Sequence, residues 1–313
     1  MAIIQPNESG IHIAASLLCD GEIVAFPTET VYGLGADATQ TTAIEKIYKI
    51  KNRPPDNPLI VHVGEKSWLS GLAIPDGRVD VLTQNFWPGP LTLILASRSD
   101  SPISSSLSSN LDTVAVRQPN HPVARKLLQY VKKPIAAPSA NISGHVSATS
   151  AEHVQNDFGQ KLKVILDGGN SDMGLESTVL DLTSDTAHVL RHGMISKDSI
   201  SALIGNVSEL NTAPSKQISP GQLEKHYAPS LPVRMNATHA AETEAFIGFG
   251  NTKNTLSNLS KEGDLHEAAK NLFSVLRQFD NPSRFTSIAF TPIPYIGVGK
   301  AINDRLHRAS KGR

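Results

Sequence analysis

The sequence predicts an α/β protein: one α/β domain with a mixed sheet over residues 1–208, and a small, Rossmann-like α/β domain over residues 233–313. Three observations carry this prediction. At 313 residues the chain exceeds one comfortable core and suits two domains of unequal size. Short apolar runs of strand length alternate with helical patterns. Residues 209–232, "ELNTAPSKQISPGQLEKHYAPSLP", are rich in Pro and Ser, lack a sustained period, and read as a linker.

Taken in order, Ile11, Ala14, Ala15 and Leu18 fall at helical spacing. "GEIVAFPTETVYGLG" reads as a strand running into a Pro/Thr/Gly turn, and a helix should follow. Thr42 with Glu45 suggests a capping box, and Arg53-Pro54-Pro55 stops the helix. "PLIVHV" (58–63), "LTLILA" (91–96), "TVAVRQ" (113–118) and "KPIAA" (133–137) read as strands, as do "KVILD" (163–167), "STVLDL" (177–182) and "AHVLR" (187–191). Helices are predicted from Pro122 to Val131 and from the Thr149/Glu152 box. The varied connection lengths predict parallel pairs across helices and antiparallel pairs across short turns. Beyond the linker come a strand at "EAFIGFG", a helix from Asp264, a strand at "FTSIAFT" and a terminal helix through Val298, Ile302 and Leu306.

Lys plus Arg and Asp plus Glu both number 29, so no overall field draws the molecule to nucleic acid or an anionic membrane, and any anion site is local. The single Cys19, expected in the core, excludes an internal disulfide framework and a multi-cysteine zinc cluster. No window approaches 18 uncharged apolar residues, and a cytoplasmic, membrane-free protein is expected. The Walker phosphate loop, HExxH, GxSxG and EF-hand signatures are absent. "GFG" (248–250) and "GVGK" (297–300) read as turn and helix-start glycines.

The polar tips are more informative. In "TVAVR", alternation puts Thr113 and Arg117 on one face with only Ala115 between them, and Val114 and Val116 on the core face. In "LIVHV", Leu59, Val61 and Val63 share one face while Ile60 and His62 share the other; in "AHVLR", Ala187, Val189 and Arg191 align. Singly, Arg117 reads first as an edge charge or half of an ion pair and His62 first as a satisfied imidazole, while Lys51 and Arg53 can serve simply as partners of a helix C-terminus. The loop "APSANISGHVS" (137–147) shifts the balance. Its hydroxyls and amides, including Ser139, Asn141 and Ser147, suit phosphate oxygens, and the basic tips suit the same polyphosphate.

Together "FPTETVYGLG", "KNRP" with "NPLIVHV", "WPGPLTLIL", "VAVRQP", "APSANISG", "ESTVLDL", "VLRHG" and "SPGQLEKHYAP" resemble the YrdC-like family, in its two-domain branch of threonylcarbamoyl-AMP synthases. The resemblance spans residues 20–229 in order. It implies a twisted open sheet with a large concave cavity, and a reaction joining L-threonine, bicarbonate or CO2, and ATP into threonylcarbamoyl-AMP and pyrophosphate. That product would supply downstream enzymes that modify the adenosine next to the anticodon of tRNAs. The family pattern implies ATP contacts at Arg53, Asn57, Thr113, Ser139, Asn141, Ser147, Arg191 and Tyr227, and threonine contacts at Thr30, His62, Arg117, Ala137 (through its backbone) and Ser177. Lys51 and Arg53 are expected to act in catalysis by neutralising the triphosphate, with Mg2+ arriving with ATP and no protein metal site. The linker is expected to cover the cavity mouth.

Two rival readings remain. A double-stranded RNA or tRNA-binding module would use Lys46, Lys49, Lys51 and Arg53, against which stands the zero net charge. Carbamoyl transfer in hydrogenase maturation would bring zinc-binding cysteines and further domains, which this chain lacks.

Overall fold

The computed structural model describes residues 2–74, 76–107, 111–209 and 226–312. The first domain opens with β1 (Ala2–Ile4), α1 (Glu8–Cys19), β2 (Val24–Phe26), β3 (Gly33–Asp37), α2 (Thr41–Lys51) and β4 (Ile60–His62). It continues through β5 (Ala73–Ile74), α3 (Gly77–Phe86), β6 (Leu91–Ser97), β7 (Thr113–Arg117), α4 (Pro122–Val131) and β8 (Ile135–Ala136). It ends with α5 (Ala151–Phe158), β9 (Val164–Leu166), β10 (Thr178–Asp181), β11 (Ala187–Arg191), α6 (Lys197–Ile204) and β12 (Val207–Glu209).

These strands form one mixed sheet in the order β1-β9-β2-β3-β8-β4-β7-β6-β10-β11-β12, with β5 on β6. Parallel β4/β7 and antiparallel β6/β7 pairs show both expected kinds of connection. The alternation within strands has the expected consequence. Leu59, Val61, Val63, Val114 and Val116 pack into the main core with α2, α3 and α5, while Ile60, Ala115 and Val179 cluster on the opposite face. Helices α1 and α4 cover only the β2, β8 and β9 part of that opposite face. The remainder, with His62 and Arg117, is left as a hollow.

Several local expectations change. "GLGAD" is strand β3 rather than a turn, paired antiparallel to β2. Its glycines allow close approach: a Cβ on Gly35 would lie 2.7 Å from the Phe26 ring and 3.0 Å from Ile135. Neither capping box forms as read. Gln40 precedes α2 without a side-chain cap, and Ser150, not Thr149, caps α5 by accepting from His153 N. Cys19 is exposed as the last residue of α1, not buried.

The second domain comprises β13 (Val233–Arg234), β14 (Glu244–Gly248), β15 (Ser257–Asn258), α7 (Leu265–Phe279), β16 (Ser287–Phe290) and α8 (Gly299–Ser310). Its sheet, β13-β16-β14-β15, is wholly parallel. Asp264 caps α7, whose Ala268, Ala269, Leu272 and Leu276 are buried as their spacing predicts. Gly250 and Gly297 have positive φ, and Gly299 starts α8. The apolar cluster of this domain includes Val31, Val146 and Leu175 of the first, so the two domains are packed through a shared core. Arg277 of α7 adds an ion pair with Asp157 and donates to the Ser147 carbonyl.

Glu244 gives the small domain a testable acid response. Its hydrogen bond to Arg234 pulls its pKa from near 4.5 to about 2, against the opposing effect of burial. Because the folded pKa is depressed, the stabilisation is complete above pH 4.5 and fades as pH falls toward 2. The melting temperatures of wild type and Glu244→Gln are therefore expected to differ most above pH 5 and to converge as acid is added. A gap independent of pH over that range would contradict this.

Candidate active site

The hollow on the uncovered sheet face is a cavity reached by Thr30 from the β2–β3 turn, Arg53 from the turn after α2, His62 from β4 and Arg117 from β7. Ala137 and Ser139 follow β8; Ser177 precedes β10; Arg191 ends β11; Tyr227 enters from the segment leading to the second domain. Thus segments distant in sequence converge, and three guanidiniums line one cavity. The cavity, together with its mouth, encloses about 530 Å3 of empty space.

Arg117 is held from several sides. Its Nε donates to the Gly89 carbonyl at 3.1 Å and Nη1 to Thr30 Oγ1 at 2.9 Å, while Nη2 lies 2.6 Å from Glu29 Oε1 without hydrogen-bond geometry. Glu29 is buried and neither of its oxygens is hydrogen-bonded. Beside Arg117, His62 is pushed down to a pKa of about 3, first by burial and then by the guanidinium, so its ring is neutral at ordinary pH. Its Nδ1 faces the Ile60 carbonyl at 3.3 Å.

Arg191 reaches the cavity through a register shift. Val179 pairs with Arg191 but Leu180 pairs with Val189, so Leu190 is an extra residue and β11 bulges. Ala187 and Val189 stay in the main core while Arg191 turns to the cavity side, correcting the simple alternation that aligned all three. Its Nε donates to the Ser177 carbonyl and Nη2 to Ser177 Oγ, each at 3.0 Å.

The turn after α2 explains the concentration of polar groups around residue 53. Arg53 Nε donates to the Asn57 carbonyl at 3.0 Å and Nη2 to the Pro58 carbonyl at 2.9 Å, folding "RPPDNP" around the guanidinium. Burial lowers its pKa to about 10, which leaves it charged at neutral pH.

Lys51 departs from the expected role. It is buried and absent from the cavity lining; its Nζ donates to the carbonyls of Ser139, at 2.6 Å, and Asn141. Its own carbonyl accepts from Ser143 N at 2.9 Å. Burial, then Arg53, moves its pKa well below the usual lysine value. The side chain therefore ties the 139–143 loop to the end of α2 and offers the cavity no ammonium.

Four other expected contacts also stand off the wall. Asn57 lies behind Arg53 and Asn141 behind the loop, donating to the carbonyls of Ile142 and His145. Ser147 is hydrogen-bonded to Glu176, which does line the cavity. Thr113 is half-buried at the start of β7, four residues and roughly 13 Å along the strand from Arg117. Buried atoms without a hydrogen-bond partner among the described residues cluster here, however: Asn57 Nδ2, Arg117 Nη2, Asn141 Oδ1, His226 Nδ1 and Tyr227 Oη. Such atoms are rare unless a ligand or water serves them.

Glu29 and Glu176 carry no signal of their own in the sequence, although each lies inside a quoted motif. Nothing in their local pattern separates a buried carboxylate, Glu176 on the cavity wall or Glu29 behind Arg117, from a surface one. The expected linker cover falls largely on residues 210–225, outside the described residues; its described end, His226 and Tyr227, lines the cavity. The Lys46–Arg53 basic run is no continuous surface, because Lys51 and Arg53 are buried. Among the described residues, no three His, Cys, Asp or Glu side chains are grouped to hold a metal, and no helix is long and apolar enough to cross a membrane.

A guanidinium-walled hollow on an open mixed sheet, with orphaned polar atoms around it, defines an α/β protein built to bind a small anionic ligand. Two family models match: one described as "Telomere recombination", for the Sua5, YciO and YrdC proteins, over residues 16–193, and "Threonylcarbamoyl-AMP synthase, C-terminal domain" over residues 195–311. The chain belongs to the Sua5/YciO/YrdC family.

It is 40% identical to the threonylcarbamoyl-AMP synthase of Bacillus subtilis, covering 99% of this chain and 95% of that relative. A Photobacterium profundum relative of the same name is 35% identical, and 57% of this chain covers 96% of it, so that protein is too short for both domains. The crystal structure of Pyrococcus abyssi Sua5 complexed with L-threonine matches with a TM-score of 0.92 and 36% identity, over 99% of this chain and 98% of that one.

Proposed function

We propose that this chain is a threonylcarbamoyl-AMP synthase that joins L-threonine, bicarbonate or CO2, and ATP and releases pyrophosphate. The observation that carries the reading is the convergence of Arg53, Arg117, Ser139 and Arg191 on one cavity. The likeness to a threonine-complexed relative along nearly the whole chain supports it.

Threonine's neutral amine adds to CO2 to give a carbamate and a proton. A carbamate oxygen then attacks the α-phosphorus of ATP, and the bond from that phosphorus to the bridging oxygen breaks as pyrophosphate leaves. Arg117, with Thr30, Ala137 and Ser177 nearby, holds the amino acid. Arg53, Arg191, Ser139 and Tyr227 form the nucleotide side, with Asn57, Asn141 and Ser147 shaping it from behind. Neutral His62 positions threonine and is too weak a base to carry its proton away. Mg2+ enters with ATP and shields charge on its phosphates. Catalysis then rests on close approach and fixed cations, with no covalent enzyme intermediate. The product is a mixed anhydride suited to transfer onto tRNA adenosine by separate enzymes.

The test is pyrophosphate release measured with threonine and bicarbonate omitted in turn, and the mass of the adduct. Release is expected only with all three substrates. Release that ignores threonine would remove the proposal.

A further inference from the structure

Arg305 is the largest fully buried side chain among the described residues, and it belongs to the final helix of the small domain. Two of its principal partners line the cavity. Nε donates to Glu176 Oε2 at 3.0 Å, and the guanidinium carbon lies 5.0 Å from the Tyr227 ring centroid. Nη2 donates to the His192 carbonyl at 2.8 Å, and Nη1 to Asp304 Oδ2 at 2.6 Å. The other oxygen of Glu176 is hydrogen-bonded to Ser147, and the Tyr227 ring stacks on Phe273 of α7 at 5.5 Å. Burial works against the charge of Arg305, but Tyr227, Glu176 and Asp304 together raise its pKa, so it stays a cation.

A guanidinium can do here what an ammonium cannot. Its fork serves a carboxylate, a carbonyl and a neighbouring aspartate at once while its face meets an aromatic ring. Without it, Glu176 becomes a buried carboxylate lacking its ion-pair partner, and Tyr227, whose backbone has φ 61 and whose hydroxyl has no partner among the described residues, loses a lateral support.

We propose that Arg305 is a positioning residue through which the small domain sets the nucleotide side of the cavity, acting on Glu176 and Tyr227. It rests on the proposed function for the assignment of that side to ATP. Arg305 touches no reacting atom in this scheme, in keeping with a relative of the same name too short to carry both domains. The small domain thereby tunes nucleotide affinity more than threonine recognition, whose guanidinium, Arg117, Arg305 does not contact.

The experiment uses the full-length chain with Arg305→Met and Arg305→Lys. Binding of ATP with Mg2+ is measured by calorimetry, and pyrophosphate release with ATP and threonine varied separately, alongside thermal melting. Arg305→Met is expected to weaken ATP binding at least tenfold and raise the KM for ATP equally, with the KM for threonine at saturating ATP within about twofold. Arg305→Lys should recover part of the loss, since it keeps a charge beside Glu176; if the methionine variant does not fold, the lysine variant is read by the same split. A folded variant that binds ATP as tightly as wild type, or loses both substrates equally, overturns the proposal. Wild type that binds ATP but releases no pyrophosphate would instead overturn the functional reading, while the ATP titrations still judge Arg305.

Discussion

Arg117→Lys is expected to lower kcat/KM for threonine by about 10^2 to 10^4 while changing ATP affinity far less. The guanidinium is fixed by the Gly89 carbonyl, Thr30 Oγ1 and the nearby Glu29 carboxylate. Nη2, 2.6 Å from Glu29 Oε1 but without hydrogen-bond geometry to it, belongs to a side chain that lines the cavity, where a substrate carboxylate can compete for it. A lysine keeps the charge but cannot satisfy Gly89 and Thr30 and still present two parallel donors. Each charged hydrogen bond contributes about 1.5–3 kcal/mol, so losing two gives the stated range. Steady-state kinetics with threonine varied at saturating ATP measures it, and near-normal kcat/KM for Arg117→Lys would remove Arg117 from threonine recognition. Glu29→Gln should retain more activity, because Gly89 and Thr30 still orient the guanidinium.

How much of this was legible in the sequence depends on whether a residue's role is set by local pattern or by tertiary contact. Period-two alternation placed Ile60, His62 and Arg117 on the face opposite the valines, since β4 and β7 run without irregularity and their pairing preserves the pleat. The same rule misplaced Arg191, because the bulge at Leu190 is created by pairing with β10 and leaves no mark within β11. In sequence "GLGAD" reads as a turn because glycine is a poor strand former. Its strand is imposed by the Phe26 ring and Ile135, which occupy the space a side chain would need. Arg305 had no signal at all. On the helix it is one more arginine near a C-terminus, and only docking of α8 against residues 176, 192 and 227 gives it partners.

Lys51 lies off the cavity wall, held by the loop it supports, and its replacement is expected to cost more in fold than in turnover. As a phosphate-neutralising ammonium it would face the cavity, remain fully charged, and yield an alanine variant that folds normally with a depressed kcat. Instead its Nζ is spent on the Ser139 and Asn141 carbonyls, its carbonyl holds Ser143 N, and burial moves its pKa well downward. Removing it strands two carbonyls, at about 1–3 kcal/mol each, and forfeits two strong hydrogen bonds, partly offset by relief of the desolvation cost of a buried amine. Lys51→Met is therefore expected to lose about 2–4 kcal/mol of stability, seen as a fall of several degrees in melting temperature. The freed 139–143 loop should then raise the KM for ATP while kcat at saturating ATP stays within a fewfold of wild type, because Arg53 still supplies the cation. A variant of unchanged stability whose kcat falls a hundredfold would restore Lys51 to the chemistry, and would require its ammonium to leave both carbonyls when ATP binds.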